Sequence, residues 1–202
     1  MIEFHDVEQR DDVWMSLRCG KIGGSEALGL TTDARMKTLL FKKAAELLTG
    51  EVKEIYQNEA MTWGIMHEDE ARERYQDEMS CMVEQIGYIT NDDYIYGGLS
   101  PDGRVSDSKY IEIKCPTSES HIETIKTNKI PSIYLNGQIL WYFIIVPDIE
   151  EIDFISYDPR VRSRPIHIIN VKRDDLRDDI DKLVSRYRKF EEKLTDVLKL
   201  FE

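Results

Sequence analysis

A chain of 202 residues with 41% hydrophobic content is long enough for one domain (1–202) with a real core and short for two large ones. No apolar run approaches the roughly 20 residues needed to span a bilayer, and the opening MIEFHDVEQRDD is acidic and polar, so we expect a soluble cytoplasmic protein with no membrane partner. Lys+Arg number 27 against 39 Asp+Glu, and the resulting −12 argues against a general nucleic-acid binder, whose footprint is basic.

The charge is uneven. Residues 160–173, RVRSRPIHIINVKR, hold five bases and no acid, and residues 35–43, RMKTLLFKK, hold four bases and no acid. Such tracts can steer a polyanion locally, or can be plain solvated surface. Cys19, Cys81 and Cys115 are odd in number, far apart and without a CxxC pair. That predicts free thiols rather than a disulfide framework or a zinc or iron–sulfur site.

Along the chain, Trp14 and Leu17 stand at helical spacing within residues 7–18. GKIGGSEALGL follows and reads as a glycine-rich turn opening a short helix with Ser25 as N-cap. Residues 36–49 predict a helix ended by Gly50, and residues 59–79 a long helix with Met61, Ile65, Ala71, Tyr75 and Met79 on its apolar side. Strands are expected at 82–90, 93–98 and 109–115, with NDD and SPDGRVSDS as turns. Residues 132–145 are apolar and fit a helix or a strand. Residues 151–157 and 165–172 look β-like, and 174–202 form an amphipathic helix carrying Ile180, Leu183, Tyr187, Phe190, Leu194 and Phe201 on one face. The fold class expected is α/β (α+β): a mixed central sheet flanked by helices, with a long C-terminal amphipathic helix.

One strand carries charge where a strand is usually apolar. In YIEIK the two-residue period puts Glu112 and Lys114 on one face and Ile111 and Ile113 on the other. The Pro-Asp-Gly turn returns Asp102 beside them. Two carboxylates at the ends of paired strands make an oxygen-rich corner suited to Mg²⁺ or Mn²⁺ rather than zinc. A lysine there can orient a water or offset charge on a phosphoryl group. Charge alternation alone would equally describe a surface salt bridge. Pro-Asp followed by (Asp/Glu)-x-Lys on the next strand is, however, the PD-(D/E)xK nuclease arrangement. Glu68, in WGIMHEDEARERY, lies on a helix upstream, where it is either the acid that completes such a cluster or one of several exposed acids with Asp69, Glu70 and Glu73. Gln138 sits in an apolar segment, where its amide needs a partner. His67 is read as a neighbour of the site.

With these blocks in order, the chain resembles the lambda exonuclease family of YqaJ-like viral recombinase nucleases. DVEQRDDVWMSLRCGKIGGSE is similar to that family's opening, with Trp14, Arg18 and Ser25 in place. WGIMHEDEAR, LSPDG, IEIKCP, the glutamine of NGQ, and YDPR follow in register. The resemblance implies Mg²⁺-dependent digestion of one strand of double-stranded DNA from a free 5′ end, with Mn²⁺ as a substitute. It leaves 3′ overhangs for a single-strand annealing protein. It implies Asp102, Glu112 and the Ile113 carbonyl as metal ligands, Glu68 binding or supporting a second metal, and Lys114 positioning the attacking water. It places Arg18, Ser25, Ser100 and Gln138 around the terminal 5′-phosphate, where an arginine fork and hydroxyls at a glycine-rich helix start suit an anion. It also implies a ring of three subunits threaded by DNA. Where the family often has a second glutamine, this chain has Asn136, so no role follows for that position. Met61, just before WG, could split the duplex or pack in the core. The alternatives are an endonuclease of the same superfamily and a non-enzymatic DNA-end-binding protein.

Overall fold

In the computed structural model, which describes residues 1–52 and 58–202, the central sheet is built on three strands rich in isoleucine, valine and aromatic residues. Strands β4 (Gly103–Ser106), β5 (Lys109–Lys114), β6 (Glu151–Tyr157) and β7 (Ile166–Lys172) pair in that order. β5 and β6 run parallel, with Glu112 opposite Phe154 and Lys114 opposite Ser156, and the other pairs are antiparallel. A parallel pair needs a long crossover. Here it is α4 (Ser118–Thr127), then a π-helical turn (Tyr134–Ile139) that runs into α5 (Leu140–Ile145). A second, smaller antiparallel sheet joins β1 (Ile2–His5), β2 (Tyr88–Asn91) and β3 (Gly98–Leu99).

The two faces of the central sheet bury different helices. Ile111, Ile113 and Ile155 pack with Ala71 and Tyr75 of α3 (Glu59–Met79). The opposite face, with Tyr110 and Phe154, joins the larger core of Trp141, Tyr142, Phe143, Tyr187 and Phe190. That core draws on α2 (Asp33–Thr49), α5 and α6 (Arg177–Leu198). Burial of each such side chain is worth about 1.5–3 kcal/mol before ordering costs. The protein is therefore a mixed α/β fold with a long C-terminal amphipathic helix, as the sequence pattern predicts. Among the described residues no helix is long and apolar enough to cross a membrane.

Several boundaries differ from the sequence reading. The expected strand at 82–90 is regular only from Tyr88. The expected strand at 93–98 is a 3₁₀ turn (Asp92–Tyr94) followed by the two-residue β3. Asn91 closes that turn, its side chain accepting from the Asp93 amide at 3.0 Å. Residues 7–18 are helical only as α1 (Asp12–Arg18), capped by Asp11. The short helix after the glycines is 3₁₀ (Gly24–Leu30) with Gly23, not Ser25, at its N-cap. The Gly23 amide donates to Glu26 at 3.1 Å, so the side chain three residues on does the capping. On α3, Met61, Ile65 and Met79 are exposed at 40%, 37% and 43%, because the helix rests on the sheet only through its middle, at Ala71 and Tyr75, and both ends project beyond it. Phe201 lies beyond α6 and is also exposed.

The basic tracts are largely consumed locally. The Arg173 guanidinium donates to the carbonyls of Ile149, Phe143 and Val146 at 2.7, 2.7 and 3.2 Å. Lys43 is buried between Glu26 and Glu46, at 2.9 and 3.0 Å. All three cysteines are free and partly buried. Arg160 grips Asp158 through Nε and Nη2 at 2.8 and 3.0 Å, and Ser118 donates to the same carboxylate at 2.6 Å. Burial pushes the Asp158 carboxyl up, but the hydrogen bonds from Arg160 and Ser118 outweigh it and hold it at about 2. A depressed carboxylate pKa stabilises the fold above the unfolded value and ceases to do so as pH falls through the folded one. Asp158→Asn should therefore cost about 1–2 kcal/mol at pH 7, discounted because Arg160 is half exposed. The gap from the parent should close between about pH 4 and pH 2 in thermal melts. A gap that is unchanged down to pH 2 would contradict the pairing.

Candidate active site

β5 ends where the apolar face of the sheet gives way to charge. Glu112 is fully buried, and its Oε2 accepts from the Tyr142 hydroxyl at 2.6 Å. Its Oε1, buried and without a hydrogen bond, lies against the Lys114 ammonium in an ion pair. The turn before β4 brings in Asp102. Its Oδ2 accepts from the Ile113 amide at 2.7 Å, its own amide donates to the Tyr142 oxygen at 3.2 Å, and its carbonyl accepts from Arg72 at 3.0 Å. Gly103 is required here, since an added Cβ would stand 2.2 Å from Val83. Tyr142 thus ties both acids together from α5, and Arg72 ties the Asp102 turn to α3.

Glu68 faces the same place from α3. Its oxygens pair with Arg72 at 3.0 Å and Arg10 at 3.6 Å. Burial raises its pKa, Asp102 adds to the rise, and Arg72 and Arg10 oppose it. Asp102 is pushed up to about 7, mainly by burial and then by Glu112, with Lys114, the Ile113 amide and Arg72 pulling the other way. For Lys114, burial would lower the pKa, but Glu112 and Asp102 together raise it, so it stays charged. Its ammonium also stands 5.3 Å from the Tyr134 ring centre. Beyond it opens a cavity of about 420 Å³ whose walls include Lys129, Thr127 and Phe154.

The donor set fits a hard divalent cation. Glu112 offers a buried carboxylate oxygen held by its ion pair with Lys114, and Asp102 is held beside the like charge of Glu112, which a cation would relieve. Among the described residues no three His, Cys, Asp or Glu side chains form a cation cage by themselves.

A second cluster lies beside the acids. α1 places Trp14 and Arg18 one turn apart, and the Arg18 guanidinium sits 4.1 Å from the Trp14 ring centre. The indole N–H donates to Ser100 Oγ at 2.8 Å, two residues before Asp102. Arg18 rests on Gly23, where an added Cβ would lie 3.2 Å from Nη2. Gln138 rests on Gly24 at a similar 3.2 Å, carried there by the π turn, whose Gly137 passes against the backbone of Leu28. Arg18 and Gln138 therefore lie against adjacent glycines, Ser100 is joined to Arg18 through Trp14, and Ser25, next to Gly24, is exposed. Asn136 is exposed. His67 turns to Glu70, at 2.9 Å, and stacks on Trp63.

Tyr142 and Arg72 escaped the sequence reading. Tyr142 is hidden inside LWYFII, and nothing in that run marks it. Arg72 could have been found: it stands one helical turn after Glu68, the spacing of an ion pair.

The family model described as "YqaJ-like viral recombinase domain" matches residues 13–146. An alkaline exonuclease from Laribacter hongkongensis is 31% identical, over 95% of this chain and 96% of that chain, with a TM-score of 0.85. Its complex with dAMP gives the same values of 31%, 95%, 96% and 0.85. A phage related exonuclease from Haemophilus somnus 129PT shares the fold, with 16% identity and a TM-score of 0.59 over 88% of this chain and 96% of that one. No curated protein matches the chain.

Proposed function

The chain belongs to the family of YqaJ-like viral recombinase domains, and from that membership we propose that it is a Mg²⁺-dependent exodeoxyribonuclease. It acts as one domain, degrades one strand of linear duplex DNA from the 5′ end, and leaves 3′ overhangs for a single-strand annealing partner. The observation that carries this reading is the joining of Asp102, Glu112 and Lys114 through Tyr142 and the Ile113 amide. The 31% identical alkaline exonuclease supports it.

In this reading Asp102, Glu112 and the Ile113 carbonyl hold the cation, and Glu68 binds or supports a second one. The cation, when bound, polarises the phosphodiester and acidifies a water. Lys114, kept charged by the two acids, holds and orients that water. Tyr142 fixes the Glu112 carboxylate by donating to it. Arg18, Ser100, Ser25 and Gln138 receive the terminal 5′-phosphate, and single nucleotides are released. A homotrimeric ring would let a chain of −12 hold DNA, since only the groups lining its channel need be basic.

Linear duplex should be digested in Mg²⁺ and spared in excess EDTA, with activity restored by added Mg²⁺, while covalently closed circles stay intact. Agarose gels of the two substrates side by side test this. Cleavage of closed circles at a similar rate would make the protein an endonuclease. Binding of ends without digestion of either substrate would make it a DNA-end-binding protein.

A further inference from the structure

Arg10 is held in a backbone conformation that arginine rarely adopts, with φ of 78°. Two other non-glycine residues among the described ones share that region, Ser80 and Asn128, and each ends a helix, where a left-handed residue is usual. Arg10 ends no helix. A glycine would meet the same turn without strain. The side chain's contact does not account for the strain: its guanidinium is half exposed and 3.6 Å from Glu68 Oε2, a loose pair of little worth in water.

Both neighbours of Arg10 are pinned to the site. Gln9 donates to the carbonyls of Ile86 and Pro101, at 3.0 and 3.2 Å, which anchors the turn to the residue before Asp102. Asp11 caps α1, accepting from the Trp14 amide at 2.6 Å, which anchors it to the helix that carries Arg18. The turn therefore delivers a permanent cation beside Glu68, on the segment that links the Asp102 turn to the helix of Arg18. Backbone strain that local contacts do not repay is most often retained at functional positions.

We propose that Arg10 is a further substrate-contacting residue, whose guanidinium binds the phosphodiester of the degraded strand at the rim of the carboxylate site. This rests on the nuclease reading above. A planar guanidinium suits two phosphate oxygens at once, whereas Glu68 takes only one of its nitrogens at 3.6 Å.

Arg10→Gly separates this role from a structural one. It should fold, with Tm unchanged or raised by up to about 4 °C, because glycine fits the turn. KM for linear duplex should rise about 3- to 10-fold, and the slope of log binding constant against log salt should fall by about 1, the signature of one lost phosphate contact. Arg10→Lys should keep the slope. Digestion by the parent protein controls for the nuclease reading: an inactive parent overturns both proposals. An active parent beside an Arg10→Gly variant with the same KM and salt slope overturns this one alone.

Discussion

Asp102→Asn should lose roughly 1,000-fold in digestion of linear duplex and yet melt at a higher temperature than the parent in EDTA at pH 8. The two effects come from one cause. Burial and Glu112 hold the Asp102 carboxyl at about 7, far above its usual range, so the charged form is uphill in the fold. A carboxyl raised in this way makes the fold lose stability as pH climbs from the unfolded value towards 7. The amide of asparagine can still accept from the Ile113 N–H without carrying that charge, which should return about 1–3 kcal/mol at pH 8. Below about pH 4 parent and variant should melt alike. The same substitution removes a cation ligand, so digestion fails. Lys114→Ala should also abolish digestion, but with lower stability, since it leaves the buried Glu112 without its counter-charge. Digestion rates and melting curves of the two variants, measured against pH, check the whole pattern. Full activity in either variant would remove the site assignment.

Arg18→Ala should erase the difference between 5′-phosphorylated and 5′-hydroxyl ends. In the parent the phosphorylated end should be digested about 10- to 100-fold faster at low substrate, the worth of one or two charge-assisted hydrogen bonds. The Trp14 ring and Gly23 hold the guanidinium in place, so little freedom is lost on binding. Arg18→Lys keeps the charge but not the fork and should retain only part of the preference. Equal parent rates on the two ends would mean that Arg18 does not read the terminal phosphate.

Sequence alone determined the elements with long, clean periods and the residues that lie close together in the chain. α3 begins and ends where its pattern does, β6 likewise, and the alternation in YIEIK fixes which side chains of β5 share a face. Pro-Asp and Glu-x-Lys are legible because a turn and a strand bring them together within fourteen residues, 101–114. Short elements such as β3 were decided by partners elsewhere in the chain, whereas the capping by Gly23 and Glu26 in place of Ser25 is a local contact that the pattern did not single out. Packing against the sheet decided which parts of α3 stay in solvent. Tertiary structure alone supplied Tyr142 beneath both acids, the link from Arg72 to the Asp102 turn, and Arg10 in its strained turn near Glu68. The physical reason is range. Periodicity records which face of an element is buried, whereas a hydrogen bond across 30 or 40 residues depends on where packing sets two elements, and no local spacing encodes that.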